Sequence, residues 1–177
     1  MKKYLIVTDM QKDFVDGALG SKEALAIVPA VCEKIRSFDG DIIATLDTHG
    51  EDYLKTREGR FLPVEHCIKG TPGWELDKDV KEALSKRDHI LLEKKTFGSV
   101  DLPGLLNEMS KGDDFEAHVI GLCTDICVVS NAMLIKASFP EADVYIDAKC
   151  CAGVSPETHN AALATMKCCQ MIIENGE

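Results

Sequence analysis

Four segments of this sequence place reactive side chains directly after a short apolar run. In chain order they are Thr8-Asp9, Asp47-Thr48-His49, Glu93-Lys94-Lys95 and Cys123-Thr124-Asp125-Ile126-Cys127. A carboxylate, an ammonium and a thiol together suit attack on an amide carbonyl through a thioester, because the carboxylate can take the thiol proton and return it to the leaving amine. The sequence therefore predicts an enzyme that hydrolyses an amide.

Each of these residues also has a simpler structural explanation. A strand-end Asp commonly starts a turn, a strand-end Lys is commonly solvated, and a Cys in an apolar helix commonly packs in the core. The joint arrangement favours chemistry instead. A thiol in the first turn of a helix has its thiolate stabilised by the helix dipole and by a nearby ammonium. The backbone N–H groups of the turn 123–127 can face a developing oxyanion.

A second group of residues has the composition of a metal site. Asp47 and His49 form a D-x-H pair, and His66 follows in the loop Pro63-Val64-Glu65-His66-Cys67. Two imidazoles and one carboxylate suit Zn²⁺, Fe²⁺ or Mn²⁺ with positions left open for water or substrate. Cys67 is a competing ligand, and the alternative is a solvated loop in which the two histidines never meet.

The apolar periodicity predicts an α/β fold that brings these groups together. Strands are predicted at 4–8, 41–46, 89–93, 118–122, 143–146 and 170–173, and helices at 22–36, 75–85, 102–109, 126–137 and 156–168. Near-continuous apolar strands separated by helices predict a three-layer sandwich, with a mostly parallel six-stranded sheet and helices on both faces. In such sheets ligands bind outside the carboxyl ends of the strands, where the reactive residues lie.

Other local signals complete this description. Ser155 is a predicted N-cap, with Pro156 at the first helical position. The long irregular stretch 48–73 is predicted to be functional. The remaining histidines are predicted to be structural: His89 and His118, which open strands at the opposite edge of the sheet, and His159, in a late helix.

Size and charge exclude several classes of function. The 177 residues predict one domain spanning 1–177, and the net charge of −10 argues against nucleic-acid or membrane partners. The apolar run before Asp9 is too short for a signal sequence, so a cytoplasmic location is expected. None of the 8 cysteines forms a C-x-x-C pair, and most are predicted to be reduced and buried.

At this point two motifs become recognisable. The segment Asp9-Met10-Gln11-Lys12-Asp13-Phe14 is similar to a D-x-Q-x-D-F motif, and 121–128 matches G-x-x-T-D-x-C-V. The chain resembles the isochorismatase-like cysteine hydrolases over nearly its whole length. The resemblance implies Asp9 as proton acceptor, Cys127 as nucleophile, and Lys94, three residues before Phe97, as the third catalytic residue. It also implies an oxyanion hole at the backbone of Cys123 and Cys127, with a cis peptide before Cys123.

Within that family the chain looks like the nicotinamidases. The D-x-H pair and the segment 66–73, an H-C-x-x-G-T-x-G motif, correspond to their metal site, which implies a divalent metal, preferably zinc, on Asp47, His49 and His66. In that subgroup the metal holds the pyridine nitrogen, and Phe14 and Trp74 would flank the ring. The segment Phe97-Gly98-Ser99-Val100 departs from the subgroup's aromatic-Ser-x-Phe pattern, and Glu58 is a candidate further ligand.

The sequence thus supports three hypotheses. The first is a metal-containing amidohydrolase that converts nicotinamide to nicotinate and ammonia, in NAD salvage. The second is a related hydrolase of another small amide or carbamoyl compound. The third, suggested by the cysteine-rich C-terminal half, is a non-enzymatic thiol or metal-binding protein. A small-molecule amide is the expected partner, and the apolar stretch 132–137 makes a homo-oligomer plausible.

Overall fold

The computed structural model describes residues 1–176 and contains one parallel sheet of six strands. The strands are β1 (Lys2–Thr8), β2 (Asp41–Asp47), β3 (His89–Lys94), β4 (Phe115–Leu122), β5 (Asp143–Ala152) and β6 (Ile172–Glu174). They lie in the order β3-β2-β1-β4-β5-β6. The predicted fold class is confirmed.

Helices cover both faces of this sheet. They are α1 (Lys12–Val15), α2 (Lys22–Ser37), α3 (Arg57–Phe61), α4 (Lys78–Ser85), α5 (Leu102–Ser110), α6 (Val129–Ser138) and α7 (Pro156–Cys168). Helix α2 packs on α4, whereas α6 packs on α5 and α7. Right-handed crossovers explain this division, because the chain moves along the sheet in opposite directions from β1 to β3 and from β4 to β6.

The change of direction creates a crevice between β1 and β4. These neighbouring strands send their connections to opposite faces of the sheet, which leaves a crevice beyond their carboxyl ends. Asp9 follows β1 and Cys123 follows β4, and both therefore reach this crevice. Because of this strand order, four strand ends that are far apart in sequence lie close together at one site.

Several predicted boundaries shift for local reasons. The helix predicted at 75–85 begins at Lys78, because Asp77 caps it by accepting from the amides of Asp79 and Val80. Strand β5 continues to Ala152, beyond the predicted end at residue 146. The loop 48–73 contains helix α3 and a short 3₁₀ turn, Tyr53–Lys55.

One sequence interpretation needs correction, and another loses the observation that suggested it. His118 lies inside β4 and stacks on Tyr145 at 4.5 Å between ring centroids, so it does not open the strand as predicted. Within the stretch that suggested self-association, Ala132 and Ile135 are fully buried in the chain's own core. Their apolar character is explained by the fold, and the homo-oligomer stays a prediction.

The cysteines and the N-cap of α7 agree with the sequence analysis. All eight cysteines are free thiols, and Cys168 and Cys169 are the exposed ones. Ser155 caps α7 in a capping box with Thr158. Within the described residues, no helix is long and apolar enough to cross a bilayer.

The crevice depends on one close approach between backbones. Gly121 has φ of 114°, and a Cβ there would lie 2.1 Å from the carbonyl oxygen of Thr8. We expect Gly121→Ala to lower the free energy of unfolding by roughly 2–4 kcal/mol, because the side chain strains the backbone and pushes β1 from β4. Urea denaturation of the purified variant measures this loss.

The matched control is Gly104→Ala in α5. A Cβ at Gly104 has no neighbour within 4 Å, and a helical glycine replaced by alanine gains stability. That variant should be more stable by about 0.5–1 kcal/mol. A Gly121→Ala protein as stable as the wild type would contradict the proposed close approach.

Candidate active site

Asp9, Lys94 and Cys127 meet in the crevice. The Lys94 ammonium lies 2.6 Å from Oδ2 of Asp9 and 3.6 Å from Sγ of Cys127. All three side chains are buried. Lys95, the first residue after β3, is exposed. The structure therefore brings together the carboxylate, the ammonium and the thiol that the sequence singled out.

The positive charge of Lys94 is balanced by nearby carboxylates. Its ammonium also donates to Oδ1 of Asp47 at 3.2 Å and to the carbonyl of Thr96 at 2.9 Å. Burial alone would lower the pKa of Lys94, but Asp9 and the other nearby anionic groups outweigh it and raise that pKa. Lys94 is therefore a permanent cation between two carboxylates and the sulfur.

Asp9 is held in one orientation and protected from water. Thr45 donates its hydroxyl to Oδ1 of Asp9 at 2.6 Å, and the backbone at Asp9 has a φ of 45°. Burial raises the pKa of the Asp9 carboxyl, whereas the Lys94 ammonium lowers it. A buried carboxylate with a raised pKa is a stronger base than an exposed one, which suits proton acceptance.

Cys127 occupies a single π-helical turn, Thr124–Val128, that leads into α6. The Leu122–Cys123 peptide bond, which lies just before this turn, is cis. The carbonyl of Cys123 accepts from the amides of Ile126 and Val128 at 3.1 and 3.0 Å. Burial, followed by the charge of Asp9, raises the pKa of the Cys127 thiol, so the resting sulfur keeps its proton beside Asp9.

The turn that carries Cys127, Thr124–Val128, is anchored to the loop before α7 and to α7 itself. The Asp125 carboxylate accepts from the amide of Val154 at 3.1 and 3.2 Å. The hydroxyl of Thr124 lies 2.7 Å from Nδ1 of His159. The Thr-Asp pair of the motif thus holds the turn in place, a function that the sequence did not indicate.

Four side chains next to this centre could hold a metal ion. Asp47, His49, Glu58 and His66 each offer one ligand atom, and these atoms lie within 4.8 Å of one another. Glu58 comes from α3, inside the irregular stretch. Cys67 does not belong to this group, and its amide instead donates to Asp13 at 2.8 Å.

The donor set fits a divalent cation. Nδ1 of His66 lies 2.8 Å from the carbonyl of Val64, which requires Nδ1 to carry the hydrogen and leaves the Nε2 lone pair for a metal. Two imidazoles and two carboxylates are ligands that zinc, iron and manganese share. Asp47 links the two centres, since its Oδ1 accepts from Lys94 and its Oδ2 lies 2.8 Å from Nε2 of His49.

Two polar residues of the first motif support this group of four possible ligands, called the metal group. The Gln11 amide accepts from the backbone N–H of Asp47 at 2.7 Å and donates to the carbonyls of Asp47 and Trp74 at 2.8 and 2.9 Å. Asp13 accepts from the amides of Ala18 and Cys67 at 3.2 and 2.8 Å. The sequence analysis missed both functions, although two polar residues beside a buried strand were a usable signal.

A cavity of about 870 Å³ opens onto the metal group. Its walls include His49, Glu58, Phe61, Lys95, Phe97 and Ile126. The predicted ring-binding residues lie near the metal group but do not line this cavity. Phe14 contacts His66, with ring centroids 5.5 Å apart, and the Trp74 indole donates to Thr48 at 2.9 Å. Their function in substrate binding stays a prediction.

The contrast between the two lysines gives a direct test. Lys94→Ala should lower kcat/KM by about 10²-fold or more, since it removes the cation that stabilises the Cys127 thiolate and keeps Asp9 ionised. Lys95→Ala should have a mild effect, because its side chain is exposed. Steady-state kinetics of folded protein, checked by circular dichroism, measures both. Equal losses would show that the strand register is wrong.

Comparison with known proteins identifies the family to which this chain belongs. Residues 3–176 match the family model described as an isochorismatase domain. An uncharacterised isochorismatase family protein, PncA of Bacillus subtilis, is 35% identical over 146 residues, covering 75% of this chain and 78% of the relative.

Two solved structures resemble the whole fold. The nicotinamidase/pyrazinamidase PncA of Bacillus subtilis has a TM-score of 0.87 and 28% identity, covering 99% of this chain and 100% of its own. The pyrazinamidase of Pyrococcus horikoshii in complex with zinc has a TM-score of 0.79 and 29% identity, covering 98% of each chain. With its sequence matched from end to end and its fold shared, this chain belongs to the isochorismatase family.

Proposed function

We propose that this protein is a metal-containing cysteine amidohydrolase that converts nicotinamide to nicotinate and ammonia. One observation carries the proposal. The Lys94 ammonium, which contacts Asp9 and Cys127, also contacts Asp47. Asp47 in turn belongs to the cluster of two histidines and two carboxylates that could hold a metal. The related solved structures named as a nicotinamidase/pyrazinamidase and as a zinc-bound pyrazinamidase support the same activity. Such an enzyme would serve NAD salvage in the cytoplasm.

The residues of the crevice supply each step of amide cleavage. The sulfur of Cys127 attacks the carboxamide carbon while Asp9 accepts the thiol proton. The amides of Cys123 and Cys127 are proposed to stabilise the oxyanion. Asp9 then gives its proton to the leaving nitrogen, and the C–N bond breaks to release ammonia. Water, activated by Asp9, hydrolyses the thioester and regenerates the thiol.

Substrate orientation is the proposed task of the metal group. Asp47, His49, Glu58 and His66 would hold the divalent ion, with zinc as the proposed metal. When bound, the ion would supply an open coordination position for the pyridine nitrogen. Phe14 and Trp74 are proposed to flank the ring. Binding energy at the ring would thus place the carboxamide against Cys127.

The test compares nicotinamide with benzamide, which has the carboxamide but lacks the ring nitrogen. We expect benzamide to be hydrolysed far more slowly, by about 10²-fold or more in kcat/KM, because it has no metal-binding atom. Chelation, or Glu58→Gln, should impair nicotinamide hydrolysis and leave the slow benzamide reaction nearly unchanged. Ammonia release and metal analysis of each preparation measure these effects. Equal turnover of both amides would remove the nicotinamidase assignment.

A second candidate, hydrolysis of a larger amide or carbamoyl compound by the same cysteine, is favoured by the cavity. Its volume of about 870 Å³ is within the range of pockets for drug-sized ligands, and its walls include exposed aromatic side chains at Phe61 and Phe97. Ammonia release across a panel of carboxamides and carbamoyl compounds distinguishes the two candidates. Preference for nicotinamide over every larger amide would exclude the second.

A further inference from the structure

A second cleft, of about 570 Å³, lies between α7, the middle of β5 and β6. It shares no lining residue with the cavity beside the metal group. Its apolar wall includes Ala148, Leu163 and Ile173, and its polar wall includes Lys149, His159 and Lys167. The cleft therefore offers an apolar surface beside several hydrogen-bond donors.

The charge of this cleft is opposite to that of the whole protein. The chain has 30 acidic residues against 20 basic ones, yet no carboxylate of the described residues lines the cleft. Neither Lys149 nor Lys167 forms an ion pair within residues 1–176. The neighbouring carboxylates of Asp147 and Glu174 are already engaged by Lys34, at 3.1 and 3.4 Å. Among residues 1–176, the ammonium groups of Lys149 and Lys167 therefore have no anionic partner.

His159 connects the cleft to the turn that carries Cys127. Its Nδ1 lies 2.7 Å from the hydroxyl of Thr124, which is fully buried. Burial lowers the pKa of His159, so the neutral ring carries one hydrogen. When Thr124 donates to Nδ1, that hydrogen is on Nε2, which has no hydrogen-bond partner among the described residues. A ligand in the cleft could accept it.

We infer that this cleft is a second binding site for a small organic anion that has a flat, apolar body. The ammonium groups of Lys149 and Lys167 and the Nε2–H of His159 would bind its phosphate or carboxylate group. Ala148, Leu163 and Ile173 would contact its apolar part. A ligand there would stabilise the His159 tautomer that accepts from Thr124, three residues before Cys127. The site is independent of the proposed function, because none of these residues contacts the substrate in that mechanism.

The test is a titration of the full chain, labelled with ¹⁵N at histidine, with three probes. They are adenosine 5′-monophosphate, benzoate and inorganic phosphate, which separate a phosphorylated aromatic ligand from an aromatic carboxylate and from a bare anion. We expect at least one organic probe to shift the His159 signals towards the Nε2–H tautomer, and to bind more tightly than inorganic phosphate. Signals of His49, which lines the cavity beside the metal group, and of its neighbour His66 report binding there separately.

Paired lysine variants decide whether the cleft itself binds the probe. Lys149→Ala/Lys167→Ala should weaken binding by about tenfold or more, since two charge-assisted contacts are lost. The control, Lys22→Ala/Lys78→Ala, changes the net charge equally at exposed positions elsewhere and should leave binding unchanged. Equal weakening in both pairs, or no response of His159 to any probe, would overturn the inference. So would a response confined to His49 and His66.

Discussion

Replacement of Cys127 by alanine is expected to abolish amide hydrolysis, with kcat falling by roughly 10⁴- to 10⁶-fold. The variant lacks the sulfur that would form the thioester. In the wild type the Lys94 ammonium lies 3.6 Å from this sulfur and 2.6 Å from Asp9. The fold should persist, because the change removes one buried atom. Ammonia release at high enzyme concentration measures the residual activity, and thermal unfolding measures the stability.

The matched variant is Cys127→Ser, which keeps the shape and replaces the thiol with a much weaker acid. It should also be nearly inactive, because the Asp9 carboxylate is matched to a thiol proton. Acid-quenched intact-mass analysis should detect an acyl adduct on the wild type and none on either variant. Alkylation rates are a poor readout here, since Cys168 and Cys169 are exposed and Cys127 is buried. Substantial activity in Cys127→Ala would refute the assignment of the nucleophile.

The second large effect is expected for Asp9→Asn, which should slow acylation by roughly 10²–10⁴-fold. Asparagine keeps the shape of the side chain but cannot accept the thiol proton. Asp9 must be ionised to act, so wild-type kcat/KM should rise with pH through the pKa of Asp9, which burial raises. This acid limb should be absent from the profile of the variant. Rapid-quench kinetics and a pH series of kcat/KM measure the two effects.

Asp77→Asn is the control for this variant. Asp77 is also a buried aspartate, but it caps α4, and asparagine caps helices as well as aspartate does. Its activity and pH profile should therefore match those of the wild type. If Asp9→Asn retained the acid limb, another group would have to be the base.

The positions of the strands and reactive residues could be predicted from the sequence because both depend on local patterns. A strand buried on both faces is a run of apolar residues, and the reactive residue that ends the run lies at the carboxyl end of the strand. This reasoning places Asp9, Asp47, Lys94 and Cys123 at neighbouring strand ends, where the structure has them. Their functions stay predictions.

The tertiary structure alone decided which side chains meet across segments distant in sequence. Glu58, which the sequence offered only as a candidate further ligand, joins the metal group because α3 folds back over His49 and His66. Gln11 reaches Asp47 across neighbouring strands, and His159 reaches Thr124 from another helix. Such contacts depend on strand order and helix packing, which are set by burial of the whole chain. The sequence by itself determined the chemistry available at the crevice, and packing determined which polar groups hold it in place.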